Sequence, residues 1–237
     1  MKTQDQLSAL TILLLTIGSH HLVFLQSPIS MEQMKTAEQI MKQKAFLKEE
    51  IDRHLAGEEA DAVWQEATGK LAEYLERYAS LPKGLHVHTD SWILPAAAVY
   101  LALKEKTGQP EAYRILEDAT YRRAEELGKK LASLMRIPGM KSLFVRIWDP
   151  LTKMVFGEKS GFRNVFYPKK KGEYRMDVVS CPYFRYFTEL GCPEITKLSC
   201  GTDDKVYGNL PGLKFERTET LGRGGSRCDF CIRKIQE

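Results

Sequence analysis

At 237 residues and 27.1 kDa the chain can bury one sizeable core, with or without a helical extension. Hydrophobic residues at 43% and charged residues at 28% are ordinary for a soluble globular protein. A net charge of +4 with scattered basic residues argues against nucleic acid as a partner, and the one run, Lys169-Lys170-Lys171, reads as a solvated turn rather than a phosphate patch.

Residues 1–30 form a poorly defined apolar segment. The run from Leu10 to Ile17 is followed by Gly18-Ser19-His20-His21. A signal peptide needs a basic start and a small-residue cleavage site, whereas Lys2 is offset by Asp5 and no such site follows. A membrane span needs about 20 mostly apolar residues, and the two histidines break the run. As neighbours on a helix they point different ways, so they are not read as metal ligands. The expectation is a cytoplasmic protein, with membrane association through residues 7–25 as the alternative. A polar helical register begins at Met31, an alternative natural start.

From residue 31 to about 137 the period is helical. One helix runs to Gly57 with Ile40, Ala45, Leu47, Ile51 and Leu55 on its apolar positions, and Gly57 is expected to stop it. A second runs from Glu59 to Pro82. The stretch Leu81 to Trp92 is expected to be a loop, with Asp90 or Ser91 capping the helix "WILPAAAVYLALKEKTG", which has an early proline and a late glycine. A further amphipathic helix begins at Pro110 and is stopped by Pro138-Gly139.

After about residue 160 the period changes. "FRNVFYPKK" and "EYRMDVVSC" read as strands about a Lys-Gly turn, then "PYFRYFTELG" and "PEITKLSCGTDDKVYGN" as short helices. "LKFERTETL" and "RCDFCIRK" read as a hairpin across Gly222 to Gly225. The fold class is α+β: a helical N-terminal half, then a small antiparallel sheet with inserted helices and a closing hairpin. Residues 31–237 are expected to form one such domain.

Five cysteines, an odd number, all lie in the last 57 residues, which fits a reduced setting better than a disulfide framework. Their spacing, C-x10-C-x7-C-x27-C-x2-C, lacks the paired knuckles of a structural zinc site. No metal or cofactor is assigned, with zinc or iron gathered in space as the open alternative. On a strand, Cys228 shares a face with Phe230 and Ile232, and Cys231 shares the other with Asp229 and Arg233. Residues three apart on a strand are separated by about 10 Å, beyond the roughly 7 Å limit for a disulfide. Cys192 and Cys231 read as buried small hydrophobes. Cys181 opens a helix through Pro182, where the positive helix end lowers a thiol pKa. Cys200 is expected at an element end beside Asp203 and Asp204, either a proton-handling pair or a capping pair. His86 and His88 offer a base, or are surface-loop histidines.

The stretches "VVSCPYFRYFTELGCPEITKLSCGTDD" and "NLPGLKFERTETLGRGGSRCDF" resemble the L-2-amino-thiazoline-4-carboxylic acid hydrolase family. A Cys opens a helix, a second Cys is followed three residues on by Asp, and a strand leads through Arg-Thr-x-Thr-Leu and a glycine turn into Cys-Asp-Phe. These elements fall on Cys181, Cys200, Asp203, Arg217, Gly224, Cys228, Asp229 and Phe230. The strong match covers about residues 178–232. The resemblance implies opening of a cyclic amidine to an N-carbamoyl-cysteine-type product at a cysteine-centred site. One of Cys181, Cys200 and Cys228 is then the nucleophile, and Asp203 or Asp229 handles protons. Arg217 is expected to clamp the substrate carboxylate, its alternative being a cross-strand partner for a glutamate, and His88 is a second substrate-binding candidate. The arrangement is also similar to vinyl-reductase-type domains, which makes a non-catalytic small-molecule or metal-binding sensor the other reading.

Overall fold

The computed structural model describes residues 29–235, and its elements all belong to the unit Met31–Glu237. The apolar segment, His20, His21 and the membrane contact expected of residues 7–25 lie outside the described residues, apart from its last two. Among those described, no helix is long and apolar enough to cross a membrane.

The helical half opens with α1 (Met31–Lys42) and α2 (Ala45–His54). The sequence predicts one continuous helix here, but the chain turns at Gln43-Lys44, where Gln43 N–H donates to Ile40 O and Lys44 N–H to Met41 O. These tighter i→i−3 bonds end the helix for a packing reason. Ala37 and Met41 of α1 are buried on the side of α3 (Gly57–Arg77), while Leu47 and Ile51 of α2 are buried against α6 (Gln109–Met135). Gly57 does not stop a helix. The chain leaves α2 at Leu55, and Gly57 opens α3.

The expected loop at Leu81 to Trp92 is also helical. It forms α4 (Lys83–His88), which continues through a π turn (Thr89–Ile93) into α5 (Leu94–Thr107). Leu85, His88, Thr89 and Ile93 are all buried, a helical spacing hidden by polar residue types. Asp90 lies inside the π turn and accepts from Thr89 Oγ1, so it caps nothing. Pro95 in the first turn of α5 and Gly108 after its last turn, at φ 80°, are as the sequence reads. The α5 residues Leu94 to Tyr100 are buried on every side, which makes it the central helix between α3 and α6. After Gly139 the segment left unassigned by sequence forms α7 (Met140–Val155).

Four antiparallel strands follow, β1 (Arg163–Phe166), β2 (Glu173–Ser180), β3 (Leu213–Glu216) and β4 (Cys228–Lys234), in the order β1-β2-β4-β3. Helices α8 (Pro182–Glu189) and α9 (Thr196–Tyr207) are inserted between β2 and β3. The molecule is therefore α+β, helical first and sheet last. One sheet face carries Tyr174, Met176, Val178, Phe230 and Ile232 into a core shared with Phe144 and Val145 of α7. The closing hairpin is not tight. Strand β3 stops at Glu216, and residues 217–227 form a long connection holding a 3₁₀ turn at Leu221–Arg223. The Asp229 carboxylate draws the chain out of the ladder by taking the N–H groups of Thr218 and Glu219, each at 2.8 Å.

Candidate functional site

Helix α9 places Cys200 in mid-helix rather than at an element end. From there, Ser199, Cys200, Thr202, Asp203, Val206 and Tyr207 follow the 3.6-residue period and line one wall of a cavity of about 500 Å³. Helix α6 adds Thr120, Arg123, Ala124, Leu127 and Lys130 at the same kind of spacing. Helix α7 supplies Trp148 and Thr152, and the sheet supplies Met176, Val178, Cys228 and Phe230. Cys181, at the end of β2, and Arg217, in the connection after β3, complete the polar end. Cys181, Cys200, Cys228, Asp203 and Arg217 thus meet in one space, although they come from three stretches of chain.

The close approach of α9 to α6 depends on Gly128, where an added Cβ would lie 2.7 Å from the backbone oxygen of Lys205; at Gly201 it would meet the Tyr121 hydroxyl, a side-chain tip that can turn aside. The 3₁₀ turn approaches the sulfurs just as closely. A Cβ on Gly222 would lie 2.9 Å from Cys200 Sγ, and Leu221 N–H donates to Cys228 Sγ at 3.3 Å.

The three thiols differ sharply. Cys200 is held down to about 6: the Cys228 thiol donates to it, and this outweighs burial, with the Arg217 charge and the Gly222 N–H adding to the effect. The proton stays on Cys228, whose thiol is pushed well up by that same bond and by burial. Cys181 corrects a simple expectation. Its neighbours' N–H groups at the start of α8 do favour the thiolate, but burial dominates and pushes it up to about 12. Helix-end charge is worth roughly 0.3–1 kcal/mol at an exposed site, too little to offset desolvation of a buried thiolate.

Asp203 is enclosed by the cavity walls while remaining accessible from the cavity itself, with its side chain 37% exposed. Enclosure pushes its carboxyl up to about 7; the Arg217 charge opposes this, while Cys200 and Asp204 add to it. The Arg217 side chain is only 3% exposed. Its Nη1 donates to Asp203 Oδ2 at 2.8 Å, and its Nη2 donates to Cys200 O at 2.7 Å and pairs with Asp204 Oδ2 at 2.9 Å. The guanidinium is engaged with its own chain, so it orients the Cys200–Asp203 face; the expected glutamate partner is replaced by two aspartates.

Two candidate residues lie elsewhere. Asp229 is opposite Asp177 on the sheet face turned from the cavity, as strand alternation requires. Partial burial raises its carboxyl, but donation from Glu219 and Thr218 prevails and holds it below the usual range. Cys231 shares that outer face. His88 is a buried histidine, 4% exposed, rather than a surface-loop one. Its Nε2–H donates to Val155 O at 2.8 Å, which leaves Nδ1 to accept from the Tyr183 hydroxyl at 3.1 Å. It therefore supports Tyr183, a wall residue, and does not line the cavity. His86 is likewise engaged, with Asp90 and Leu81 O.

Among the described residues, one set of three His, Cys, Asp or Glu side chains has its ligand atoms within 4.8 Å of one another: Glu50, His54 and Asp118, with no cysteine. It lies between α2 and α6, where Arg53 and Arg122 already neutralise Glu50. The sequence reading missed Leu221 and Gly222 as thiol partners and the aromatic wall, including Trp92, Trp148, Tyr183 and Tyr207. The run "TLGRGG" carried a signal, but it reads equally as a hairpin turn.

A sequence model of the L-2-amino-thiazoline-4-carboxylic acid hydrolase family matches residues 86–232. No curated protein and no solved structure matches the chain.

Proposed function

Since the chain belongs to the L-2-amino-thiazoline-4-carboxylic acid hydrolase family, we propose that its cavity opens a cyclic amidine by covalent catalysis, with Cys200 as nucleophile and Asp203 as general acid and base. The observation that carries this reading is the convergence of Cys200 and Asp203 on one cavity wall from the same face of α9, where the thiol is pushed down and the carboxyl up. An attacking thiolate and a proton donor for a departing sulfur are what the reaction requires.

The Cys200 thiolate adds to the ring carbon between sulfur and nitrogen. The bond from that carbon to the ring sulfur breaks, and the sulfur leaves as a thiol with the Asp203 proton, giving an S-linked isothiourea. Asp203, now a carboxylate, takes a proton from water as its oxygen adds to the same carbon. The bond to Cys200 then breaks, releasing thiolate and an isourea that tautomerises to the N-carbamoyl-cysteine-type product. Cys228 restrains the thiolate by its S–H donation, and Arg217 keeps Asp203 aimed.

Incubation of the purified protein with L-2-amino-thiazoline-4-carboxylate or a ring-substituted relative, with the carbamoyl product quantified, tests the proposal. Turnover is expected from the native chain and none above background from Cys200→Ala. Turnover that persists in Cys200→Ala at more than about a tenth of the native rate would reject the covalent route, since loss of a nucleophile ordinarily costs several orders of magnitude.

A further inference from the structure

The cavity is much larger and more apolar than the ring named by the family. A 2-amino-thiazoline-4-carboxylate is a five-membered ring with one amino and one carboxylate group. A space of about 500 Å³ lies within the roughly 300–1,000 Å³ that holds drug-sized ligands. The reactive groups occupy one part of the wall. Trp148, Phe156, Phe162, Tyr207 and Phe230 line the same cavity and make ring contacts in two groups, Trp148 with Tyr207 and Phe230, and Phe156 with Phe162. A small polar ring seated at Cys200 would leave most of this surface against water, an arrangement opposed by apolar burial.

The charged side chains at the mouth of the cavity point to an anionic ligand. At the rim, Arg123 is exposed with a loose 3.6 Å ion pair to Glu126, and Lys130 is exposed on the same helix. The cations at the rim, unlike Arg217, are not consumed by buried carboxylates.

Resting on the hydrolase reading, we infer that the substrate is an anionic cyclic amidine bearing a large aromatic or branched apolar substituent, which fills the aromatic part of the cavity while the ring meets Cys200. The bare aminothiazoline acid would then be a poor, truncated substrate. Remote apolar contacts of this kind supply binding energy that positions the reacting carbon.

Three compounds test this: the bare acid, its N-benzyl derivative on the exocyclic nitrogen, and its 5-phenyl derivative. Binding is read from the fluorescence of wall residues Trp92 and Trp148 in Cys200→Ala, which leaves the ligand uncleaved, and kcat/KM is read in the native chain. At least one bulky derivative is expected to bind Cys200→Ala tenfold or more tightly than the bare acid and to be turned over with a correspondingly higher kcat/KM. Ala124→Leu, which projects into the cavity from α6, is expected to weaken the bulky derivative at least tenfold more than the bare acid, with circular dichroism confirming the fold; Met176→Phe repeats the test from the sheet. If the bare acid is turned over and binds as well as both derivatives, the inference falls while the hydrolase reading stands. If a derivative binds tenfold tighter and none of the three is hydrolysed, the hydrolase reading falls and with it the assignment of a substrate, leaving only the shape of the ligand that the cavity holds.

Discussion

Cys200 and Asp203 titrate in opposite senses, and their pH behaviour is the most direct consequence at the level of single residues. Attack needs Cys200 deprotonated, so kcat/KM should rise as pH passes about 6. Expulsion of sulfur needs Asp203 protonated, so it should fall as pH passes about 7. A narrow bell between these limbs is expected for the free enzyme. Arg217 stabilises both anions, and its removal in Arg217→Gln should move both limbs to higher pH as well as slow iodoacetamide labelling of Cys200 at pH 7. A pH–rate profile whose limbs stay in place in Arg217→Gln would show that the guanidinium does not govern these groups. Asp203→Asn should abolish the alkaline limb and cost about 10²–10⁴ in rate, the usual contribution of a general acid or base.

The next scale is the contact of α9 with α6, because it fixes where the reactive face points. In Gly128→Ala the new Cβ would meet backbone atoms of Lys205 and Val206, which cannot rotate away as a side-chain tip can. Overpacking costs about 1–3 kcal/mol, against about 1 kcal/mol of helix propensity gained on replacing glycine by alanine. A net loss of up to about 2 kcal/mol is expected in urea unfolding, and a stabilised variant would contradict the close-approach role. Packing of this kind also explains what was legible in the sequence. Helices α5 and α6 were readable because their proline and glycine signals are local, and the separation of Cys228 from Cys231 because strand alternation is local. The break at Gln43-Lys44 was hidden because it is imposed by two different packing partners. Helix α4 was masked by its polar residues, His86, His88 and Thr89, which find buried partners only in the fold. At the site, the family pattern named Cys200 and Asp203, but their shared face on α9 was hidden because Cys200 was expected at an element end, and the fates of Arg217 and Asp229 depended on which neighbours took their hydrogen bonds.

For the whole molecule, the same two groups should leave a mark on stability that needs no substrate. Between about pH 4 and 7 the folded chain keeps a proton on Asp203 that the unfolded chain has lost, so this group makes stability fall as pH rises through that window. Between about pH 6 and 9 the unfolded chain binds a proton on the Cys200 sulfur that the folded chain does not, so stability rises with pH there. Above about pH 9 the thiols of Cys181 and Cys192, each pushed up to about 12 by burial, remain protonated in the folded chain only, and stability falls again. Difference curves isolate each contribution from the remaining ionisable groups. Relative to the native chain, Asp203→Asn should remove the fall between pH 4 and 7, and Cys200→Ser should remove the rise between pH 6 and 9, both read from urea midpoints across pH. Because the two groups sense each other's charge, the effects should not be additive. In Cys200→Ser the residual Asp203 descent should end at lower pH, since the thiolate that helps to raise its carboxyl is gone. Identical pH profiles for the native chain and Cys200→Ser would mean that Cys200 is not acidified in the fold, and the proposed nucleophile would lose its basis along with the stability effect.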